Sequence, residues 1–474
     1  KKYGLKFAVY LSPWDRSRAE YATPDYLPYF YAQLRDLLTN YGEVFEVWFD
    51  GANGGDGYYG GAKDQRTIDR KNYYNYPHIF KMLDEIQPNA VVFGDGGPGC
   101  RWVGNEKGFA GETNWAFLRK GEVYPGYPNY HELTYGHADG NQWTAAECDV
   151  SIRPGWFYHP EEDDKVKSPE QLVDLYYRSV GHNATFLLNF PVDRDGLIHP
   201  VDSANAITYH NIIQRELSNN LVAGMKARVS SQRGGQFTAK ALTDNSWDTY
   251  WATPDGVTTG DIEFRFKKAQ RMNRIMLQEY IPLGQRVKKF SVEYLNNKGQ
   301  WQTVEQPEET TTIGYKRLLR FATVESKGIR VRILDSRGPL CINNIGVYDG
   351  GKDAKLTWSK AAEDLKSLPF TIVKKGADEV VIDLGEAKDI TTLQYLPDQS
   401  EHRKGLVHTY SISTCDANGN VQKTLKKDEF SNIQNNPILQ TVTFPTVKTR
   451  YLKFKAERMV KAGEKMNYEK LGVN

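Results

Sequence analysis

Two acidic residues stand where reacting groups are usually built. Asp50 closes the run at 44–50 (VFEVWFD) and is followed by Gly51, Ala52, Asn53, Gly54 and Gly55. A carboxylate at the end of an apolar strand, before a flexible loop, sits where parallel barrels carry catalytic groups. The alternative is an Asp that merely opens a turn before Gly. Glu106 lies beyond a second apolar run, 90–94 (AVVFG), inside GDGGPGCRWVGNE, with Arg101 and Trp102 nearby. Two carboxyl groups across one glycosidic bond, about 5–5.5 Å apart, hydrolyse it with retention of configuration. One stays ionised and attacks, and the other must hold a proton near neutral pH, which burial against an aromatic ring favours. Trp102 offers Glu106 such a ring, and the loop amides after Asp50 suit a charged carboxylate. For Glu106 the alternative is a surface glutamate on a loop.

These groups need a scaffold. Short apolar runs at 6–12 (KFAVYLS), 44–50, 90–94, 147–152 (ECDVSI) and 184–190 (ATFLLNF) alternate with helical patterns at 26–41, 74–86 and 202–217. A further helix opens at Ser168, Pro169 and Glu170, a good N-cap with Pro in the first turn. Strand, loop and helix in alternation predict a parallel α/β architecture, a TIM-type (β/α)8 barrel. About five strands are legible where a closed barrel has eight, and the chain opens in mid-unit at KKYGLK, so several N-terminal barrel units are expected to be missing. Residues 6–12 are apolar on both faces and are expected to form an interior strand, not an edge.

After about residue 220 the pattern changes to alternating strands with turn signals, at 261–266, 274–277, 290–294 and 329–333. A turn at Gly350, Gly351, Lys352 and Asp353 introduces a second such stretch, with strands near 379–384, 392–396, 409–413 and 451–454. The expected organisation is a catalytic barrel domain at 1–220, an antiparallel β-sandwich at 221–350 and a second sandwich at 351–474.

With 474 residues the chain has ample material for several cores. A net charge of +2 argues against nucleic acid as a partner, and no run approaches a transmembrane span, so membrane insertion is not expected. The start is not a signal peptide. Cys100, Cys148, Cys341 and Cys415 share no metal-ligand spacing and read as isolated buried thiols. The aromatic share of 12%, rich in Tyr, is common in surfaces that stack sugar rings.

The motifs KYGLKFAVYLSPWDR, EVWFDGANGGDGYYGG, GPGCRWVGNEKGFAGETNW and AECDVSIRPGWFYH closely resemble the bacterial glycoside hydrolase family 29 α-L-fucosidases. The likeness spans roughly residues 1–200 and is greatest for the subgroup selective for α-1,3/1,4-linked fucose on branched glycans. It implies that Asp50 is the nucleophile and Glu106 the general acid/base, with Glu112 of AGETNW as the alternative acid. It also implies that Tyr10 and Arg101 touch the fucose and that Trp156 packs on its methyl group. The His-His-Asp-Gly-Phe type motif that grips fucose hydroxyls in this family does not occur here. The implied partner is a fucosylated glycan, and the implied setting is periplasmic or secreted. Hydrolysis of a different hexose is one rival reading, and glycan binding by a degenerate, non-catalytic barrel is another.

Residues 222–350 resemble the discoidin-like (F5/8 type C) sandwich, carried by SSQRGGQFTAKALTDNSWDTYWAT and LGQRVKKFSVEY. That likeness implies a structural calcium in the loop at 241–251, with Asp244 as a ligand. No cofactor is required for the chemistry. Residues 354–474 read as a second, divergent sandwich with a packing role.

Overall fold

The computed structural model describes residues 3–50, 57–351, 365, 367–400, 403–430, 433–434 and 437–474. The loop at 51–56, whose amides were expected to serve Asp50, lies outside the described residues. Six parallel strands form one sheet in chain order: β1 (Ala8–Tyr10), β2 (Glu46–Trp48), β3 (Val91–Gly94), β4 (Cys100–Trp102), β5 (Ala145–Ser151) and β6 (Ala184–Asn189). Helices α1 (Tyr26–Thr39), α2 (Tyr76–Ile86), α3 (Pro169–Ser179) and α4 (Pro200–Glu216) complete the α/β part. α1 buries Tyr26, Phe30, Leu34 and Leu38, a stripe at i, i+4 spacing that packs on Val9, Val47 and Phe49. α3 begins as expected: Ser168 Oγ accepts from Gln171 N and Gln171 Oε1 accepts from Ser168 N, a full capping box with Pro169 behind it.

The strand expected in the interior is an edge of this sheet. Among the described residues β1 pairs with β2 alone, and Tyr10 is 57% exposed. Its apolar character has two separate causes. Val9 and Leu11 join the helix-side core, while Tyr10 turns to the opposite face and stacks on Trp48.

β4 was not legible in the sequence. Five residues join it to β3, and the pair is still parallel, with Phe93 beside Cys100. So short a return demands close backbone approach. A Cβ on Gly99 would stand 2.7 Å from Val92 N, and one on Gly97 would stand 2.8 Å from Thr144 Cγ2. Gly97 and Gly99 of GDGGPG are thus steric necessities.

By packing, residues 1–153 and 159–356 form one compact unit, and residues 154–158 and 357–474 form another. In the first unit, an antiparallel seven-stranded sheet follows the α/β part. Its two longest strands, Gly260–Glu279 and Arg317–Ser336, pair with register shifts, and its core gathers Trp251, Phe264, Phe290, Phe321 and Val347. The sequence reading split the first of these strands in two.

This sandwich is locked to the α/β part by buried polar contacts. Asn114 Nδ2 donates to His182 O (2.8 Å), while Gln285 accepts from Ala116 N and donates to Asn114 O (2.8 Å each). Glu308 Oε2 meets His182 Nε2 at 3.0 Å and Arg317 Nη2 at 2.8 Å. Arg274 pairs with Glu216, which also accepts from the Tyr177 hydroxyl. The second unit contains an antiparallel six-stranded sheet with a core of Val380, Ile382, Tyr395, Tyr410, Phe430 and Phe454.

Candidate active site

Strand alternation sorts the side chains at the centre of the α/β sheet. In β2, Val47 points to the helix-side core, and so does Phe49 just beyond it, which sends Glu46, Trp48 and Asp50 to the opposite face. In β5, Ala146, Cys148 and Val150 join helix-side clusters, leaving Glu147, Asp149 and Ser151 opposite. Registered partners across parallel strands share a face, so Tyr10, Trp48 and Phe93 form a row. Their rings stack at 5.3 Å (Tyr10 to Trp48) and 4.0 Å (Trp48 to Phe93).

Asp50 and Tyr10 come together directly: the Tyr10 hydroxyl donates to Asp50 Oδ2 at 2.5 Å. Burial, then the charge and hydrogen bond of Asp50, push the Tyr10 phenol far above its ordinary range, and the charge of Glu106 adds to the shift. One phenol therefore feels both carboxylates singled out in the sequence. Glu106 also acts on Asp149, whose carboxyl is raised well above the usual range by burial first and by Glu106 second. Trp102 Nε1 donates to Asp149 Oδ1 at 2.9 Å, and the Trp102 ring stacks on Tyr130. The indole expected beside Glu106 thus bonds to a carboxyl that Glu106 influences.

Asp149 and Glu147 were missed in the sequence. Acidic residues at alternate positions of an otherwise buried strand are the signal that could have found them, since each must have a partner inside. Glu147 accepts from Trp48 Nε1 (3.0 Å) and Thr185 Oγ1 (2.9 Å). Glu46 accepts from the Cys100 thiol and is pushed up to about 7, by burial first and then by the charge of Glu147. Glu46, Cys100 and Glu147 offer ligand atoms within 4.8 Å of one another. Burial, however, raises the Cys100 thiol far above its ordinary range, and both oxygens of Glu147 already accept, so the set reads as an acid pair holding a proton.

Arg101 is placed differently from the sequence expectation. As registered partner of Ala146 it lies on the helix side of the sheet and is 0% exposed. Its nitrogens donate to Leu133 O (3.1 Å), Thr144 O (2.7 Å) and Asn114 Oδ1 (2.7 Å), so the whole guanidinium is spent on scaffold. Glu112 is also committed elsewhere: its Oε2 accepts from Glu309 N (2.7 Å) and its carbonyl from Arg317 Nη1 (2.6 Å), at the join to the sandwich. Trp156 is half-buried in the 154–158 segment, which packs with the second unit.

In the loop expected to hold calcium, Asp244 accepts from Ser246 N (3.0 Å) and Thr249 Oγ1 (2.8 Å). The carbonyls of Ser246 and Thr249 accept from Asn343 Nδ2 at 2.9 and 2.7 Å. An amide takes the oxygens a cation would need, and this donor set does not fit a calcium ion. All four cysteines are buried free thiols.

Comparison with known proteins agrees with this layout. Residues 1–207 match the Alpha-L-fucosidase family, and residues 226–347 and 344–469 each match the F5/8 type C domain. The second sandwich, which carried no assignable motif, thus has the same domain type as the first. A relative from Oryza sativa subsp. japonica is 38% identical over 352 residues, 73% of this chain and 64% of its own length. Alpha-L-fucosidase 1 of Arabidopsis thaliana is 37% identical over 356 residues, 73% of this chain and 67% of its own. The chain therefore spans about two thirds of these plant relatives.

Among solved structures, a glycoside hydrolase 29 family member from an unknown rumen bacterium is 41% identical, with a TM-score of 0.64 over 100% of this chain and 80% of that one. A Ruminococcus gnavus GH29 fucosidase in complex with fucose is 31% identical, with a TM-score of 0.63 over 75% of this chain and 73% of that one. The chain belongs to glycoside hydrolase family 29, the α-L-fucosidases.

Proposed function

We propose that this chain acts in a retaining α-L-fucosidase that releases terminal α-1,3/1,4-linked L-fucose from glycans. The observation that carries the reading is the Tyr10 phenol, bonded to Asp50 and within the field of Glu106. Asp50 attacks the anomeric carbon as the bond to the departing sugar oxygen breaks, and Glu106 gives that oxygen its proton. Glu106 then takes a proton from water, whose oxygen attacks the same carbon and frees Asp50. The Tyr10 hydroxyl holds Oδ2 of Asp50 and so helps to orient the carboxylate. Arg101 and Glu112 are left out of this scheme because the Arg101 guanidinium and Glu112 Oε2 are bonded within the scaffold. Trp156 remains a proposed contact for the fucose methyl group. No cofactor takes part, and the glycan substrate class supports a periplasmic or secreted setting.

The test is to incubate the purified protein with an aryl α-L-fucoside and with a branched fucosyl oligosaccharide, following the first-formed sugar by NMR. α-L-Fucose appearing first supports retention. β-L-Fucose appearing first would overturn the double displacement. The rival reading is glycan binding without turnover. Saturable oligosaccharide binding with no fucose released would establish that reading instead.

A further inference from the structure

Trp48 and Glu147 stand on strands that are not neighbours. In the sheet order β3 and β4 lie between β2 and β5, yet Trp48 Nε1 donates to Glu147 Oε1 at 3.0 Å. The sheet therefore curls, and a polar link crosses its concave face from β5 to the strand that leads to Asp50. Two residues back along the same face of β2, Glu46 brings a carboxylate oxygen within 4.8 Å of one on Glu147, with the Cys100 thiol of β4 as third member of the group.

The two carboxyls are unequally served. Glu147 is 6% exposed, and its oxygens accept from Trp48 Nε1 and from Thr185 Oγ1 at 2.9 Å. Glu46 is half-buried and accepts from the weak thiol donor of Cys100 at 3.7 Å. Among the described residues no lysine or arginine acts on either. The titratable groups around them are Cys100 of β4, Asp149 of β5 and, beyond Trp48, Tyr10 of β1. Two shielded carboxyls this close cannot both ionise cheaply, so one proton stays between them. The donors on Glu147 favour its charged form, which leaves the proton on Glu46, and burial pushes Glu46 up to about 7.

That proton has a structural consequence. While it is held, Glu147 rests against Glu46 and keeps the Trp48 ring in place between Tyr10 and Phe93. Tyr10 in turn donates to Asp50. Once the proton is lost, two charges face one another, and Glu147 relieves the repulsion by swinging away with the Trp48 indole.

We propose that Glu46 and Glu147 are positioning residues for Asp50, acting through Trp48 and Tyr10 only while they share one proton, and that they set an alkaline limit on the attack step independent of Glu106. The assignment rests on the fucosidase reading above and adds to it a pH requirement lodged outside the two reacting carboxyls.

The experiment follows kcat/KM from about pH 5 to 9 for an aryl α-L-fucoside whose phenol leaves without protonation, so that the state of Glu106 drops out. Wild type should lose about tenfold per pH unit above about 7. In Glu46→Gln the amide N–H donates to Glu147 at every pH. The fall should vanish, and at about pH 9 this variant should exceed wild type by at least about tenfold. Trp48→Phe keeps a ring between Tyr10 and Phe93 but gives up the N–H. Its plateau should be about tenfold lower, as for one lost hydrogen bond to a charged group, and its fall should vanish too. An unchanged fall in Glu46→Gln would overturn the proposal, and so would a fall kept in Trp48→Phe, since Trp48 would not be the route.

A second readout needs no turnover. The indole N–H resonance of Trp48, assigned by its absence in Trp48→Phe, should shift with pH through about 7 in wild type and stay fixed in Glu46→Gln. If wild type releases no phenol, the fucosidase reading fails and this resonance decides alone. A shift in wild type only keeps the pair as the proton-dependent support of Trp48. No shift, or the same shift in both proteins, removes it.

Discussion

Tyr10 donates its hydroxyl to Asp50 across the pairing of β1 with β2, while its ring stacks on Trp48, the registered partner in β2. Trp48 is in turn held by Glu147 through its indole N–H. The orientation of Asp50 therefore depends on a run of contacts spanning β1, β2 and β5. Tyr10→Phe keeps the stack and loses the hydrogen bond. A bond to a charged group contributes about 1.5–3 kcal/mol, so kcat should fall about 10- to 100-fold. Steady-state kinetics check this, and a change under twofold would separate Tyr10 from the chemistry.

Asp50→Asn should reduce turnover by several orders of magnitude with an unchanged circular dichroism spectrum, since the amide keeps the shape and loses the nucleophile. Normal fucose release by the folded variant would take Asp50 out of the mechanism.

Glu106 and Glu112 should separate cleanly. Glu106→Ala should slow substrates with poor leaving groups far more than aryl fucosides, and added azide should partly restore activity through a fucosyl azide. Glu112→Ala loses the acceptor for Glu309 N. It should lower stability by about 1–2 kcal/mol and leave kcat nearly unchanged. Azide rescue in the Glu112 variant alone would reverse the assignment.

Stability should carry a specific pH signature. Glu46 is pushed up to about 7 chiefly by burial, whereas in the unfolded chain it titrates near 4. The folded state binds the extra proton between those values, so the contribution is fully present below about pH 4 and is lost as pH rises through about 7. Glu46→Gln, neutral throughout, should show a shallower fall in melting temperature between pH 5 and 8. Calorimetry across that range reads it, and parallel slopes for the two proteins would mean that Glu46 does not titrate there.

The discoidin-like loop should be indifferent to calcium. Because Asn343 Nδ2 supplies the carbonyls of Ser246 and Thr249, a chelator should leave the melting temperature within a degree or so, while Asn343→Ala should cost about 1–3 kcal/mol by orphaning those oxygens. A marked chelator-induced drop would restore the ion to the loop.

Much of this was legible before any coordinates. The place of Asp50 at a strand end was legible because the apolar run stops there, its proposed role came from the motif around it, and α3 was legible because its cap residues act locally. Arg101 could not be placed from its motif. Neighbours in a motif alternate across a strand, and the pleat sends Trp102 toward the site and Arg101 away from it. β4 escaped notice because three residues carry no periodicity. β1 was read as a strand inside a larger barrel, and among the described residues its strand partner is β2.

The buried lattice joining Asn114, Ala116 and His182 to Gln285 and Glu308 has a practical consequence for anyone dissecting the protein. A truncation near residue 220 would leave Ala116 N and His182 Nε2 without their acceptors and Asn114 O without its donor, so the remaining stump is expected to aggregate instead of serving as a minimal enzyme. The first F5/8 type C module is a keystone of the catalytic body, so grafting it onto another hydrolase, or exchanging it for a foreign module, requires carrying the 112–116 and 181–183 segments along with it.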